Sequence, residues 1–274
     1  MREYLVVGYG KLGRYYDSLL DARFVVDIVP VNDIIGKVFY TSIDEFLFFR
    51  PQVDLAIVST LSNMHYTIAK KLLLEGYNVL VEKPITLSSV EARDLVSIAR
   101  RSKLLCYQST MERRNSLITF LKENVSRDQI ERIVSVRQGL SPTRAYVESP
   151  VFDLGIHDLD LSYFLYQNEI PWEINVSYCS RPMRKIFVFL KSGQCIELDL
   201  LNKQAIANER TFDLSKSSNN NQMLLMLQQI LYAGSSSTED WDREIQTLEE
   251  LALKKSSGNF TLREKPWKGA HNDV

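Results

Sequence analysis

The sequence lacks the features that would suit it to nucleic acid, a membrane or secretion. Its 33 basic and 34 acidic residues give a formal net charge of -1, so no excess of positive charge is present to bind a polyanion or an anionic lipid surface. No apolar run approaches the roughly 18 residues of a membrane span, and the amino terminus enters a predicted strand rather than a leader peptide. We expect a cytoplasmic protein with a small-molecule partner and no nucleic-acid or membrane partner.

Cysteine and histidine are also scarce, with three residues of each type. The cysteines are odd in number and lack C-x-x-C spacing, which predicts reduced structural thiols at Cys106, Cys179 and Cys195. Among the histidines, His271 lies in an irregular tail and His65 lies at a predicted helix start. His157 is therefore the best candidate for a general acid or base at neutral pH.

What the sequence does contain is an alternation of short apolar runs and helical patterns from Tyr4 to about Gln108. Most runs are apolar at successive positions, which is typical of parallel strands covered by helices on both faces. The S-x-x-E spacings that begin at Ser42 and Ser88 predict capping boxes at two of the helices. These patterns predict a doubly wound parallel sheet over residues 1–112.

Beyond Ser109 the pattern changes, because apolar residues such as Ile174 and Val176 alternate with polar residues such as Asn175. Such alternation predicts a mainly antiparallel open sheet with one wet face, in a second α/β domain over residues 113–274. The polar segment 215–221 is predicted as a loop, and helices are predicted over 222–232 and 240–255. The role of the tail 258–274 stays open.

The spacing G-x-G-x-x-G stands directly after the first predicted strand, at Gly8, Gly10 and Gly13. In a Rossmann domain the first glycine permits a tight turn, the second lets the backbone approach a pyrophosphate, and the third lets helix pack against strand. The phosphates then rest at the N-terminus of the helix. The first domain is therefore predicted to bind a dinucleotide.

Asp27 follows the first glycine by roughly 20 residues, where an acid accepts hydrogen bonds from an adenosine ribose. A carboxylate there would repel a 2'-phosphate, so we predict NAD, with NADP less favoured. Two alternatives stay open: Asp27 is a solvated or loop-capping residue, or a shifted strand puts Asn32 or Asp33 in its place.

Ser59 and Thr60 end the fourth predicted strand and lie at the crevice where doubly wound sheets bind ligands. Their hydroxyl groups are suited to a ribose or a phosphate. The alternative is that this segment begins a helix near Met64, with Ser62 or Asn63 as the N-cap.

Glu82, Lys83 and Pro84 follow the fifth predicted strand, at the same edge of the sheet. In a crevice, Lys83 would stabilise negative charge that develops on a substrate oxygen. The alternative is that the triplet only ends the strand, because proline cannot continue the pairing.

Asp153 and His157 are four residues apart at a predicted helix start, so that Asp153 can orient His157. The alternative is a structural histidine. A metal site is not predicted, because helical spacing would direct Asp158 and Asp160 away from the face of His157.

Four segments together resemble the glucose-fructose oxidoreductase and inositol dehydrogenase family (Gfo/Idh/MocA) along nearly the whole chain. They are the glycine loop GYGKLG, the segment STLSNMH, the E-K-P motif in VLVEKPI, and the D-x-G-x-H-x-x-D motif in FDLGIHDLD. The chain departs from the family at Leu61, where proline is usual, and in the few residues between Gly139 and Asp153.

The resemblance implies a Rossmann domain, an α/β domain with a large open sheet, and a substrate between them. It implies that Lys83 contacts nicotinamide and substrate, that His157 carries the proton, and that Asp153 orients His157 or binds a sugar hydroxyl. It also implies a cis Lys83-Pro84 bond. The segment MERRNSL resembles the E-R-F-N-P element of members acting on nucleotide-linked sugars, with Arg114 and Ser116 as departures, so Arg113 would hold a phosphate or carboxylate.

These expectations define the predicted site. The catalytic residues are Lys83, His157 and Asp153, and the substrate-binding residues are these three with Arg113. The cofactor-binding residues are Gly8, Tyr9, Gly10, Lys11, Leu12, Gly13, Asp27, Ser59, Thr60, His65, Glu82 and Lys83. A homo-oligomer, dimer or tetramer, is expected.

We hypothesise an NAD(P)-dependent oxidoreductase that moves a hydride between nicotinamide and a secondary alcohol or ketone of a sugar, nucleotide-sugar or polyol. One alternative is a dinucleotide-sensing protein without chemistry, which would not need Lys83, Asp153 and His157. Another is reduction of a conjugated double bond, as in biliverdin reductase relatives, which would not need the Asp153 and His157 pair.

Overall fold

The computed structural model describes residues 2–31, 34–143, 149–167, 169–215, 221–233, 245 and 247–249. Asn32, Asp33, His271, the tail 258–274 and most of the predicted helix 240–255 lie outside the described residues, as does most of the predicted loop 215–221. By its contacts the chain divides into a first unit, residues 1–109 with 227–249, and a second unit, residues 110–226 with 250–274. The division into 1–112 and 113–274 stays a prediction, and it places residues 227–249 in the second domain.

The first unit is built on a parallel sheet of six strands in the order β3-β2-β1-β4-β5-β6. The strands are β1 Tyr4–Val7, β2 Phe24–Val26, β3 Val38–Tyr40, β4 Leu55–Val58, β5 Val79–Val81 and β6 Cys106–Gln108. The helices between them are α1 Lys11–Leu20, α2 Ile43–Phe49, α3 Ser62–Leu74 and α4 Ser89–Ser102. Nearly every residue of β1, β2, β4 and β5 is buried, as the runs of consecutive apolar residues predict.

Two of the predicted helix starts are wrong in detail. Ser42 caps α2 by accepting a hydrogen bond from the Glu45 backbone N–H, but Ser88 makes no side-chain cap at α4. The helix α3 begins at Ser62, two residues before the predicted start, so neither Ser62 nor Asn63 is its N-cap. The Ser62 hydroxyl is buried without a hydrogen-bond partner. The S-x-x-E spacing therefore predicts where α2 and α4 begin, but it predicts the capping hydrogen bond only for α2.

The second unit is built on a mixed sheet of six strands in the order β12-β11-β10-β9-β7-β8. The strands are β7 Ile130–Gly139, β8 Trp172–Tyr178, β9 Met183–Leu190, β10 Cys195–Asp199, β11 Gln204–Ala207 and β12 Arg210–Asp213. Only β7 and β8 are parallel; the other neighbours are antiparallel. Its helical segments are the 3-10 turns Met111–Arg114 and Arg127–Gln129, α5 Ser116–Asn124, the π-helical turn Val151–Gly155 and α6 Ile156–Tyr166. The predicted fold class, α/β with a parallel and a mainly antiparallel sheet, is confirmed.

The helix α7, Gln222–Ala233, carries the chain from the second unit back to the first. Its predicted bounds, 222–232, agree with the structure to one residue. None of the described helices is long and apolar enough to cross a membrane.

The second sheet was predicted to have one buried and one wet face, but buried apolar side chains lie on both of its faces. The helix-covered face holds the main core, which includes Ile133, Ile186 and Leu198. Alternate residues on the opposite face form a second apolar cluster, Val134, Val136 and Phe187, with Met183 and Phe189 packed against it. Asn175, predicted on the wet face, is buried. We call this opposite side the open face.

Candidate active site

The glycine turn between β1 and α1 shows a different physical reason for each glycine. Gly8 has φ +87°, and a Cβ on it would lie 2.9 Å from the Ser59 backbone. A Cβ on Gly13 would lie 2.0 Å from the Gly8 carbonyl oxygen, so helix and strand approach too closely for any side chain. A Cβ on Gly10 would meet nothing within 4 Å. The backbone at Gly10 therefore faces open space, while Gly8 and Gly13 form the turn itself.

The helix α1 begins directly after Gly10, and no side chain of the described residues caps it or places an acidic group in its first turn. Its first backbone N–H groups therefore have no carboxylate or hydroxyl partner there. A helix start of this kind is suited to an anionic group.

Asp27 lies directly after β2, at the carboxyl edge of the sheet and beside the glycine turn. One carboxylate oxygen accepts a hydrogen bond from the Tyr9 backbone N–H at 2.6 Å, and the other accepts one from the Val29 backbone N–H at 2.9 Å. A carboxylate has about four acceptor sites, so these two bonds fix its orientation and leave further sites for a ribose hydroxyl.

Ser59 and Thr60, at the end of β4, have different surroundings. The Ser59 hydroxyl lies 2.8 Å from the Gly8 carbonyl oxygen and 3.2 Å from the Val7 carbonyl oxygen. Ser59 therefore holds the glycine turn, which is a positioning role and does not require contact with a ligand. Thr60 is half-buried, and its hydroxyl donates to the neighbouring Leu61 carbonyl oxygen at 3.4 Å.

The E-K-P turn, Glu82 to Pro84, follows β5 and is held by a hydrogen bond from Tyr16 of α1. The Tyr16 hydroxyl donates to Glu82 Oε1 at 2.5 Å, and the Lys83 backbone N–H donates to Glu82 Oε2 at 3.1 Å. Burial, followed by the charge of Glu82, raises the pKa of Tyr16 well above its usual value, so the phenol stays protonated and remains a donor. Glu82 is itself buried. Its contacts are those of a residue that orients the turn, and its predicted cofactor-binding role stays a prediction.

His65 and Gln108 hold the same turn from two other elements. His65 of α3 is buried, with Nδ1 2.7 Å from the Pro84 carbonyl oxygen and Nε2 3.1 Å from the Thr60 carbonyl oxygen. The Gln108 side-chain oxygen accepts from the Ile85 backbone N–H at 2.8 Å. The predicted cofactor residue His65 thus links two loops at the sheet edge, and its contacts support a positioning role.

Lys83 is partly exposed between two buried neighbours, and the Lys83-Pro84 peptide bond is cis, as predicted. The backbone on both sides of Lys83 is hydrogen-bonded through Glu82 and Pro84. The turn therefore presents one cationic side chain from a fixed backbone.

In the second unit, Asp153 lies in the π-helical turn and His157 in the first turn of α6, and both are partly exposed. The Tyr178 hydroxyl at the end of β8 donates to Asp153 Oδ2 at 3.1 Å. Gly139 and Gly155 let this segment lie close to the sheet, since a Cβ on Gly139 would lie 3.2 Å from Leu154. A carboxylate and an imidazole four residues apart are groups suited to proton transfer, and we refer to Asp153 and His157 as the proton-handling pair.

Beside His157, Asp158 belongs to a buried ion cluster centred on Arg137 of β7. Arg137 Nε donates to Asp158 Oδ2 at 2.7 Å, and Arg137 Nη1 donates to Glu112 Oε1 at 3.0 Å. Burial alone would raise the pKa of Glu112, but the charge and hydrogen bond of Arg137 outweigh it and hold that pKa below its usual range. Asp158 therefore joins the start of α6 to β7 through a buried ion pair.

Arg113 also belongs to a buried ion pair. Its guanidinium forms a forked ion pair with Asp160, and the two side chains are only 6% and 8% exposed. It also lies over the Phe164 ring, with 5.5 Å to the ring centre. The predicted binding of a substrate phosphate or carboxylate by Arg113 stays a prediction; a buried guanidinium paired to a carboxylate has little capacity for another anion.

Within the described residues, no group of three or more His, Cys, Asp or Glu side chains is arranged to hold a metal ion. Sequence reasoning missed Tyr16, Gln108, Arg137 and Tyr178, the side chains that orient the predicted residues. None of them stands in a motif, and each is distant in sequence from the residue it contacts.

Comparison with known proteins agrees with the first unit's architecture. Residues 2–110 match the family model GFO_IDH_MocA, described as an oxidoreductase family with an NAD-binding Rossmann fold. The uncharacterized oxidoreductase YhhX of Escherichia coli strain K12 is 28% identical over 146 residues, which are 50% of this chain and 42% of YhhX. The UDP-N-acetylglucosamine 3-dehydrogenase of Acidithiobacillus ferrooxidans is 25% identical over 169 residues, which are 58% of this chain and 53% of that enzyme. The chain therefore spans about half the length of these curated relatives.

Solved structures extend the likeness to both units. A structure of UDP-N-acetylglucosamine 3-dehydrogenase from Acidithiobacillus ferrooxidans has a TM-score of 0.77 at 19% identity, over 92% of this chain and 95% of that chain. The biliverdin reductase of Synechocystis sp. PCC 6803, in complex with biliverdin and NADP+, has a TM-score of 0.73 at 14% identity, over 92% and 97% of the two chains. At such identities the likeness concerns the fold alone.

Proposed function

We propose that the chain is an oxidoreductase of the Gfo/Idh/MocA family, whose model with an NAD-binding Rossmann fold matches residues 2–110, and that it oxidises a secondary alcohol or reduces the corresponding ketone. The substrate is a sugar, nucleotide-sugar or polyol. One observation carries the proposal: Asp153 and His157 lie together at the start of α6 with Tyr178 bound to Asp153. A protein that only senses a dinucleotide needs no such pair.

The first unit fits a dinucleotide. The space at Gly10, the uncapped start of α1 and the oriented carboxylate of Asp27 are suited to a pyrophosphate and a ribose. When bound, the nicotinamide supplies the hydride acceptor or donor. We propose NAD over NADP, because Asp27 would lie next to a 2'-phosphate and repel it.

In the oxidation direction, His157 accepts the proton of the substrate hydroxyl as the hydride leaves the same carbon. Lys83 stabilises the negative charge that develops on the oxygen. Asp153 orients His157 or binds a neighbouring hydroxyl. In reduction these roles reverse. In a second assignment Lys83 carries the proton and His157 positions the substrate.

The proposal of a sugar or nucleotide-sugar is supported by the sequence likeness to the UDP-N-acetylglucosamine 3-dehydrogenase. Biliverdin reductase shares the fold of this chain at 14% identity, and reduction of a conjugated double bond is the rival proposal. Double-bond reduction does not need Asp153 and His157, so a variant of His157 distinguishes the two proposed activities.

The test measures turnover and cofactor affinity in two variants. His157→Asn and Lys83→Ala should each lower kcat about 10²- to 10⁴-fold, the usual contribution of a general acid or base. His157→Asn should leave NADH affinity unchanged. Lys71→Ala is the control, because Lys71 is 40% exposed and forms an exposed ion pair with Asp44. The substrates tested are sugars, UDP-sugars and polyols, and turnover is measured from the change in NADH absorbance.

Full activity in both variants would refute the site. Reduction of biliverdin by the wild-type chain, unchanged in His157→Asn, would favour the double-bond reductase. NADH binding without turnover of any of these substrates would favour the sensing protein.

We also propose a homo-oligomer that uses the open face. Support comes from the partly exposed apolar side chains Met183 and Phe189, which pack on that face against the buried cluster of Val134, Val136 and Phe187. Light scattering of the full chain measures the mass of the particle in solution. A monomer in the wild type, or an unchanged oligomer in Phe189→Asp, would contradict this.

A further inference from the structure

Arg184 lies at the same end and on the same face of the second sheet as Asp153. Its Cα pairs directly with that of Arg137 across β9 and β7, and directly opposite residues share a face. On the other side of β7, Arg137 pairs with Val176, and Tyr178 follows two residues later on the same face. The Tyr178 hydroxyl binds Asp153. Arg184 is therefore placed near the proton-handling pair by strand register alone.

The guanidinium of Arg184 is more exposed, and makes fewer polar contacts, than those of Arg137 and Arg113. Its side chain is 44% exposed, against 1% for Arg137 and 6% for Arg113. Its Nη1 lies 3.6 Å from Glu112 Oε1, an oxygen that already accepts a hydrogen bond from Arg137 at 3.0 Å. Within the part of the chain that the structure describes, the Arg184 guanidinium makes no hydrogen bond. Its N–H donors are therefore partly exposed and available to a ligand.

The electrostatics of Arg184 also favour an additional anion. Partial burial and then the positive charge of Arg137 lower the pKa of Arg184, although Glu112, Asp158 and Asp153 act in the opposite direction. A cation that is desolvated and lies next to a second cation gains more from a new negative charge than a fully solvated one does.

We propose that Arg184 binds an anionic group of the substrate, a carboxylate or a phosphate, and so selects anionic sugars over neutral ones. This inference rests on the proposed function, since it concerns the substrate on which Asp153 and His157 act. It assigns to Arg184 the role that motif spacing gives to Arg113. A guanidinium binds carboxylate and phosphate through paired N–H donors, and neutral hydroxyl groups gain much less from it.

The test is calorimetric binding to the full chain in the presence of NAD+, which requires no turnover. The probes are glucose, glucuronate, N-acetylglucosamine and UDP-N-acetylglucosamine. The wild-type chain should bind at least one anionic probe more tightly than its neutral partner. Arg184→Gln should weaken binding of that probe about 10- to 100-fold, as expected for charge-assisted hydrogen bonds, and leave the neutral probes unchanged.

Two further variants make the result specific. Arg184→Lys keeps the charge but loses the paired donors, so it should recover only part of the affinity. Arg132→Gln is the matched control: Arg132 belongs to the same sheet but lies over the Phe189 ring on the open face, with 3.9 Å to the ring centre. It should bind every probe as the wild type does.

The pair of probes that shows the effect identifies the anion: glucuronate indicates a carboxylate, and the UDP-sugar indicates a phosphate. Equal affinity of anionic and neutral probes in the wild type, or undiminished anion binding in Arg184→Gln, would overturn the proposal. Anion binding that depends on Arg184 but leads to no turnover with NAD+ would keep this inference and refute the proposed chemistry.

Discussion

The two units fix their candidate catalytic residues by different physical means. In the first unit, the turn that carries Lys83 is held by hydrogen bonds with the side chains of Tyr16, His65 and Gln108. Tyr16 binds the buried carboxylate of Glu82, and the other two bind the backbone of the turn. In the second unit, the helix that carries His157 is held by buried ion pairs of Arg137 and Arg113.

The difference teaches where each half of the site is vulnerable. A hydrogen bond to a turn contributes modestly to stability, so one loss there should disturb geometry more than folding. Removal of one partner from a buried ion pair leaves the other charge without compensation. The second unit therefore concentrates its stability in a few charged side chains next to its chemistry.

The largest expected effect is in the second unit. Arg137→Met should lower the free energy of unfolding by about 3–5 kcal/mol, because Asp158 and Glu112 stay buried without their cation. Urea denaturation measures this. Arg132→Met on the same strand is the control, since an exposed cation and ring contact contributes about 0.5–1 kcal/mol. Equal losses in both variants would remove the contrast between the units.

A smaller effect is expected at the matching place in the first unit. Tyr16→Phe should cost about 1–3 kcal/mol, because Glu82 loses one donor while it stays buried, and kcat should fall with the altered Lys83 turn. The neighbouring Tyr15→Phe is the control, since Tyr15 is 43% exposed. Its change should stay within about 0.5 kcal/mol. If Tyr16→Phe is as harmless as Tyr15→Phe, Tyr16 does not anchor the turn.

The smallest effect concerns a carboxylate held by backbone N–H groups alone. Asp27→Asn keeps an oxygen for the Tyr9 N–H but removes the charge, so affinity for NADPH relative to NADH should rise about tenfold as like-charge repulsion is lost. Fluorescence titration with both cofactors measures the ratio. An unchanged ratio would show that Asp27 serves the loop and not cofactor choice.

Much of the fold could be predicted because its signals are local. Consecutive apolar residues marked β1, β4 and β5, and alternation marked β8 and β10. The strands β11 and β12 were missed, since they are short and every residue of Arg210–Asp213 is exposed. The apolar cluster on the open face was missed too, because alternation on one strand cannot show which side chains meet on a sheet.

The candidate site was predictable to the extent that it stands in linear motifs. Lys83, Asp153 and His157 lie where the strand and helix ends were expected, while their roles stay predictions. Their supporting contacts were not predictable, since Tyr16 reaches Glu82 across 66 positions of the chain. The motif of Arg113 suggested a ligand but could not show its buried ion pair with Asp160 of the same unit.

The return of residues 227–249 to the first unit sets a limit on how the protein can be divided. Leu227, Ile230 and Leu248 of this segment are buried, and Glu249 forms an ion pair with Arg93 of α4. A gene fragment for residues 1–109 would therefore encode an incomplete unit, with apolar surface left uncovered. Exchange of the nucleotide half between relatives therefore requires three cuts in the gene, on both sides of residues 110–226 and after residue 249, and only residues 110–226 behave as an insertion in the first unit.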